Sequence, residues 1–368
     1  MAAAGRWRGA LEARLTELWY GPAHAAPGRA PLPAVARKAL GLLLAPPAAL
    51  VAAVAARRRR RISRTTAGNG PAVVVVGNLV AGGAGKTPAT IALALALAGR
   101  GLSVGLLARG HGAQRSDARL VGPDDDPSDA GDEPLLLARA TGLPVAAGVD
   151  RAAALARLAA AHPGLDVVVS DDGLQHTRLA RDVEIAVFDA RGAGNGRTLP
   201  AGPLREPLAA LASVDAVLLN GAEASPFPHP RVHRTRLAAA GVRALHAQAA
   251  AAAGGTAHVR PMLEPIEDFV RRAHGQRLVA LAAIGAPQRF FGMLRSMGLA
   301  PTDCMALPDH APIPPALLDS IHADLVLMTE KDAVKCERFA DARCHALVVQ
   351  ALLDPALVDY VERRVRSR

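Results

Sequence analysis

The chain has 368 residues, a formal net charge of +10 and 51% hydrophobic residues with only 3% aromatics, so its length admits about two domains and its core must be built from Ala, Leu and Val. Its three cysteines, Cys304, Cys336 and Cys344, form no CxxC pair and are odd in number, which argues against a disulfide framework or a cysteine zinc site and fits a reducing, cytoplasmic compartment. The excess of positive charge favours polyanionic partners, whether nucleic acid, nucleotide or anionic lipid.

Residues 1–64 differ from the rest. Trp7, Leu11, Leu15, Leu18 and Trp19 recur at helical spacing, and Arg6, Arg8, Glu12, Arg14 and Glu17 can occupy the opposite side. Two readings stay open for this helix. It can lie at a membrane interface, with its tryptophans and Tyr20 at headgroup level, or it can pack on its own domain. An uncharged run follows, Ala39 to Ala56, preceded by Arg37 and Lys38 and followed by Arg57 to Arg61. It is at the short limit for a membrane span, and Pro46-Pro47 interrupts it. The expectation is a segment lying on or dipping into an anionic bilayer, with each arginine adding about 1 kcal/mol. No stacking residue is interleaved among the arginines, so no nucleic acid is expected. No protein partner is expected either. The run starts late and continues into basic residues, unlike a secretory signal.

From Pro71 the pattern becomes α/β. Ala72 to Val76 reads as a buried strand, Pro88 to Ala98 as a helix with proline in its first turn, and Leu102 to Ala108 as the next strand. That spacing is a βαβ unit with a parallel sheet. Val145 to Ala147, Asp166 to Val169, Ile185 to Phe188 and Ala216 to Leu219 are further strand candidates. The weakly patterned segment from Ala222 to Arg260 contains an Ala-rich stretch at Ala249 to Gly255 that carries no motif. Beyond it come a strand at Leu278 to Ile284, a helix at Gln288 to Met297 and a strand at Leu325 to Met328. The expected fold is α/β, a phosphate-loop NTPase-like parallel sheet flanked by helices. It carries a membrane-associated N-terminal segment (1–64), a core (65–222) and a smaller C-terminal α/β domain (223–368).

Between the first strand and helix lies Val80-Ala81-Gly82-Gly83-Ala84-Gly85-Lys86-Thr87. Glycines let backbone N–H groups approach phosphate oxygens, and the following helix N-terminus adds positive potential. Lys86 is suited to the β- and γ-phosphates of a nucleotide, and Thr87 to Mg²⁺. The stricter pattern would place another glycine at Val80. An apolar strand ending in acid supplies the second half of such a site: Asp166-Val167-Val168-Val169-Ser170-Asp171-Asp172.

Gly77-Asn78-Leu79 running into Gly82-Gly83-Ala84-Gly85-Lys86-Thr87-Pro88 resembles the phosphate loop of the tetraacyldisaccharide 4′-kinases of lipid A synthesis. Gly131-Asp132-Glu133-Pro134, Asp171-Asp172-Gly173-Leu174-Gln175-His176, Gly194-Asn195-Gly196-Arg197, Leu199 to Pro207 and Thr329-Glu330-Lys331-Asp332-Ala333 extend the resemblance over most of the chain. It implies transfer of the γ-phosphoryl of ATP, with Mg²⁺, to the 4′-hydroxyl of an acylated glucosamine disaccharide 1-phosphate. The enzyme would be peripheral on the cytoplasmic face of the bacterial inner membrane. By the same resemblance Asp132 matches the proposed catalytic base and His310, in Pro308-Asp309-His310, its partner. Asp171, Asp172 and Glu206 match the acidic group near the metal.

The alternative is another phosphate-loop hydrolase at the membrane. A GTPase needs Asn-Lys-x-Asp, and the nearest candidate, Asn220-Gly221-Ala222-Glu223, lacks both the lysine and the aspartate. A partitioning-type ATPase carries a lysine where this chain has Ala81.

Overall fold

The structure is a computed structural model that describes residues 11, 13–24, 30–62, 70–110, 117–222, 227–246 and 262–368. Arg6, Trp7, Arg8, Glu12 and the stretch from Ala249 to Gly255 lie outside the described residues.

Residues 13–20 are helical. The uncharged run forms two helices, α1 (Ala34–Leu43) and α2 (Ala45–Arg59), bent by 50°. Pro46 and Pro47 stand in the first turn of α2, where a missing N–H costs nothing, so the prolines start the second helix and the break falls at Leu44. No single helix among the described residues is long and apolar enough to cross a membrane; the bent pair is, by length and composition.

The predicted βαβ unit follows as β1 (Ala72–Gly77), α3 (Lys86–Ala98) and β2 (Val104–Ala108). Next come β3 (Arg119–Val121), α4 (Pro127–Ala130), α5 (Asp132–Thr141), β4 (Val145–Ala147), α6 (Arg151–Ala161) and β5 (Val167–Asp171). β6 (Val183–Asp189) and β7 (Ala216–Asn220) lie where apolar runs place them. β8 (Val232–Ala244) occupies a segment whose sequence gave no strand signal, because its residues are mostly half-buried and of mixed polarity. The chain continues with α7 (Ile266–Ala273), β9 (Leu278–Ala282), α8 (Pro287–Ser296), β10 (Asp303–Ala306) and α9 (Pro315–Asp319). It ends with β11 (Leu325–Thr329), α10 (Glu330–Cys336), β12 (Cys344–Leu353) and α11 (Pro355–Arg366).

The chain forms two compact units that interleave in sequence. One comprises Met1–Lys86, Ser170–Arg236 and Leu353–Arg368; the other comprises Thr87–Val169 and Leu237–Leu352. The contiguous division expected at residues 64 and 222 differs from this one. Parallel strands need long crossovers, so strands that pair come from distant parts of the chain and a contiguous stretch need not be one body.

In the first unit β8, β7, β6 and β1 are successive parallel neighbours, with Val76 opposite Ile185, Ile185 opposite Ala216 and Val217 opposite Val232. Every residue of β1, β6 and β7 is buried, as expected of parallel strands covered on both faces. The N-terminal helices are fastened to this unit by polar contacts. Trp19 Nε1 donates to the Pro200 carbonyl at 2.9 Å, Asn195 N donates to Trp19 O at 2.7 Å, and the Arg191 guanidinium lies over the Tyr20 ring. Of the two readings of this helix, packing on its own domain describes Trp19 and Tyr20. Thr198 Oγ1 donates to Ala48 O at 2.7 Å, and Arg197 donates to Gly41 O at 3.1 Å.

Arg181 is the most enclosed charge here, with 0% exposure. It pairs with Glu184 at 2.9 Å and donates to the carbonyls of Leu179 (3.0 Å), Leu174 (3.2 Å), Gly173 (3.4 Å) and His176. Glu184 in turn pairs with Arg59 at the end of α2. The turn after β5 is thereby pinned to β6 and to the N-terminal helices.

In the second unit, β10, β9, β11 and β12 are parallel neighbours, and β2, β4 and β3 form another run whose β3–β4 pair is antiparallel. Leu278, Ala280 and Leu327 face Phe269, Phe291 and Leu294 of α7 and α8. Val279, Leu281 and Val326 face Leu318, Ile321 and Cys336 on the other side. The alternation is the period of two expected of strands. Cys336 and Cys344 are free thiols here, and burial pushes them up to about 12 and about 11.

Replacing Arg181 by methionine would leave Glu184 and several carbonyls without their donor. The expected loss is about 3–5 kcal/mol in urea denaturation. A loss below roughly 1 kcal/mol would mean that the cluster does not hold the unit together.

Candidate active site

The phosphate loop begins where β1 ends. Asn78 is fully buried there; its Nδ2 donates to Gly82 O at 3.0 Å and its Oδ1 accepts from Lys86 Nζ at 3.1 Å. Gly82 and Gly85 take φ of +98° and +86°, a conformation costly for any side chain. Residues 203–205 brace the loop, because Ala81 N donates to Pro203 O at 2.8 Å and Arg205 N to Leu79 O at 2.6 Å, while Val80 bridges to Leu204. Asn220, at the end of β7, donates to the carbonyl of Ala84 at 3.2 Å. The residue that most nearly matched a guanine-reading motif thus supports the loop. Gly83 lies on the exposed side of the loop, and Thr87 follows Lys86 in the first turn of α3.

Asp171 is buried at the carboxyl end of β5. Asp172 follows it in the left-handed region at φ +46°. Its carboxylate lies 3.4 Å from Lys86 Nζ and 3.3 Å from Arg205 Nη1. Burial would raise this carboxyl, but Lys86 and Arg205 outweigh it and hold it below the ordinary aspartate value. The turn lies close against β1, since a Cβ on Gly77 would stand 2.7 Å from Leu174 Cγ. Gln175 Nε2 donates to Asn78 O at 3.1 Å and to Glu206 Oε1 at 2.7 Å, and Glu206 also pairs with Arg59 at 3.5 Å. Lys86, Asp172 and Glu206 are therefore joined through Asn78, Arg205 and Gln175. These three linkers lie inside motifs noted in the sequence, but nothing local marked them as contacts.

A second cluster lies in the other unit. Asp132 opens α5, is 6% exposed, and accepts from Glu133 N at 2.9 Å. His310 brings Nδ1 to 2.9 Å from Asp132 Oδ2 and 3.3 Å from Oδ1, across 178 residues of chain. His310 also has positive φ, +60°. Among the described residues Asp172 and His310 are the two non-glycine residues in that region, and such strain concentrates at functional sites.

The Thr329-Glu330-Lys331-Asp332-Ala333 motif supplies the frame. Thr329 caps α10, and Asp332, fully buried, accepts from Ala283 N at 3.0 Å and from Thr329 Oγ1 at 2.7 Å. Lys331 and Lys335, four residues apart, share one helix face. Lys331 Nζ reaches Glu133 Oε1 at 3.0 Å and His310 Nε2 at 3.1 Å; Lys335 Nζ lies 3.9 Å from Asp132 Oδ2. Burial works to raise the Asp132 carboxyl. The hydrogen bond from His310 and the charges of Lys331 and Lys335 override it and hold the group below the usual aspartate range. A buried carboxylate kept ionised and oriented can accept a proton.

Asn78→Ala would release both Lys86 and the Gly82 carbonyl. The affinity for a nucleoside triphosphate is expected to fall about tenfold, roughly 1.4 kcal/mol, by titration calorimetry. Unaltered affinity would show that Lys86 needs no support from Asn78.

A model of the LpxK family, tetraacyldisaccharide-1-P 4′-kinase, matches residues 40–366. The tetraacyldisaccharide 4′-kinase of Bordetella petrii is 44% identical over 299 residues, 80% of this chain and 82% of that protein. That of Dechloromonas aromatica is 45% identical over 296 residues, 80% of this chain and 84% of that protein. A crystal structure of LpxK from Aquifex aeolicus in complex with ATP matches with a TM-score of 0.69 at 24% identity, covering 89% of this chain and 99% of that one. At that identity the likeness speaks for the fold. With a loop, an acidic strand end and a buried carboxylate–imidazole pair in place, and with relatives this similar over most of their length, the chain belongs to the tetraacyldisaccharide-1-P 4′-kinase family.

Proposed function

We propose that the protein is a tetraacyldisaccharide 4′-kinase, transferring the γ-phosphoryl of ATP to the 4′-hydroxyl of a tetraacylated glucosamine disaccharide 1-phosphate to give lipid IVA. The observation that carries this reading is the Asp132–His310 pair. It supplies the base that a hydroxyl acceptor needs and that a phosphate loop alone lacks. Family membership supports it further.

The triphosphate would lie on the amides of Val80 to Thr87 at the head of α3, with Lys86 on its β- and γ-phosphates. The sugar hydroxyl gives its proton to Asp132 as its oxygen bonds to the γ-phosphorus. The bond from that phosphorus to the bridging oxygen breaks, and its electron pair leaves with ADP. Asp171 and Asp172, adjacent carboxylates at the carboxyl end of β5, are hard oxygen donors and fit Mg²⁺, which is usually held by one or two carboxylates together with substrate phosphates. Thr87, Asp171 and Asp172 would hold it, and when bound it neutralises charge on the transferring phosphates. Glu206, matched to the same acidic group, acts here through Gln175 and Arg59.

The acceptor's apolar part and the bilayer account for the N-terminal helices. A 340 Å³ cavity lies between Leu50, Val51 and Val54 of α2 and the polar Gln175, Arg205 and Glu206. A lining that mixes apolar side chains with arginine, glutamine and glutamate suits an acylated sugar. Outside, Leu42, Leu43 and Leu50 are exposed, as are Lys38, Arg57, Arg58, Arg60 and Arg61. This is the pattern of a surface that enters an anionic leaflet, which would be the cytoplasmic face of the inner membrane.

The test is phosphotransfer from ATP to the acylated disaccharide 1-phosphate in detergent. Lys86→Ala is expected to abolish transfer, and Asp132→Asn to lower kcat by about 10²–10⁴. Absence of a lipid product with the unaltered protein would sink the assignment. Separately, Leu42→Asp with Leu43→Asp should weaken co-flotation with anionic vesicles by at least about tenfold. Equal flotation would remove α1 from the membrane contact.

A further inference from the structure

We propose that Lys331 is a positioning residue that fixes the proton arrangement of the Asp132–His310 pair, engaging His310 Nε2 so that the imidazole proton sits on Nδ1 and points at Asp132. The proposal rests on the reading of Asp132 as the base.

The donor and acceptor inventory leads to it. A lysine ammonium has three donors and no acceptor. Burial works to lower the Lys331 ammonium, but Glu133, Asp132 and Asp309 reverse this and raise it, so the group is charged. At 3.1 Å from His310 Nε2 it can only donate, and Nε2 must offer its lone pair. The imidazole is then neutral with its proton on Nδ1, donated to Asp132 at 2.9 Å. All three members of the row, Lys331, His310 and Asp132, are satisfied in one arrangement.

The charges around His310 explain why a cation is needed. Asp132 faces Nδ1, while Glu133 Oε1 at 4.0 Å and Asp309 Oδ1 at 3.8 Å face Nε2. Three carboxylates thus surround one imidazole. Lys331 occupies that side, pairing with Glu133 at 3.0 Å and approaching Asp309 at 3.8 Å. Lys335 stands behind Asp132 and is held by Asp332 at 2.9 Å, so it does not reach the imidazole. The consequence for the chemistry is specific. His310 has no vacant nitrogen to receive a proton, so the proton taken from the acceptor hydroxyl stays on Asp132 until product leaves. His310 orients the carboxylate and does not relay.

Removal of Lys331 would act on the pH profile in one direction. Asp132 would lose a cation that favours its ionised form, which moves the acid limb of kcat/KM to higher pH.

The experiment combines two readouts on the full chain. Long-range nitrogen–proton spectra of protein labelled with ¹⁵N-histidine, with His310 assigned by its Gln variant, report the tautomer directly. Phosphotransfer is followed across about pH 6 to 9 for the wild type, Lys331→Met, Lys331→Arg and Asp132→Asn. The expected wild-type spectrum has Nδ1 protonated and Nε2 bare. Lys331→Met should protonate Nε2 and move the acid limb up by about one pH unit. KM for ATP should change less than kcat, and Lys331→Arg, which keeps the cation, should leave the profile near that of the wild type. A wild-type His310 protonated at Nε2 would overturn the proposal. So would a Lys331→Met profile lowered equally at every pH, which is what a purely structural lysine would give. If Lys331→Met fails to fold, the wild-type spectrum and the arginine variant still decide. Full turnover by Asp132→Asn would defeat the base reading instead, leaving the tautomer spectrum to judge Lys331.

Discussion

A single buried guanidinium sets the conditions for the phosphate-loop unit. Arg181 is sealed from solvent and directs its donors at the carbonyls of the turn that carries Asp172 and Gln175. Enclosing a charge costs several kcal/mol unless its partners are complete. The arrangement therefore tolerates little slack, and a half-satisfied version would be worse than an apolar core. Fixing that turn fixes Gln175, which holds Asn78, which holds Lys86. Glu184 extends the same cluster to Arg59 of α2. Lys86 and α2 are thus secured by one connected set of polar contacts.

The second unit solves a similar problem with one helical turn. Thr329 caps α10 and, through Asp332, secures the backbone at Ala283, whose carbonyl accepts the amide of His310 at 3.2 Å. The two lysines that follow on the same face balance the negative charge gathered by Asp132, Glu133 and Asp309. Further out, Glu337 is shared by Arg139 of α5, at 2.7 Å, and Arg243 of β8. The dyad is therefore held by contacts between chain segments nearly two hundred residues apart in sequence, and none of these has a local signature.

That contrast explains what could be read from the chain alone. β1, β5, β6 and β7 were legible because a strand buried on both faces is an unbroken apolar run, as in Val73 to Val76. β8 was not, because half-buried residues carry no such run. The loop residues and Asp171-Asp172 followed from a local motif, whereas Asp132 and His310 emerged only through family resemblance. Arg59 shows the limit most plainly. In sequence it is one of five consecutive arginines; in the fold it turns inward to Glu184 and Glu206 while its neighbours face out. Which member of a charge run points inward is decided by partners more than a hundred residues away.

The interleaving of the two units bears on synthesis. A ribosome delivers the chain in order, and the first unit draws on its last helix: Asp354 bonds His233 at 3.0 Å, and Arg368 bonds the carbonyl of Gly70 at 3.0 Å and pairs with Asp182 at 3.4 Å. β1 and the phosphate loop are made early and must wait for nearly the whole polypeptide before their unit can close. During that wait the all-apolar β1 has neither its full set of strand neighbours nor its C-terminal brace, which is the situation in which nascent strands aggregate. The α1–α2 segment emerges before β1. It is therefore made well before β6, to which Arg59 later ties it through Glu184.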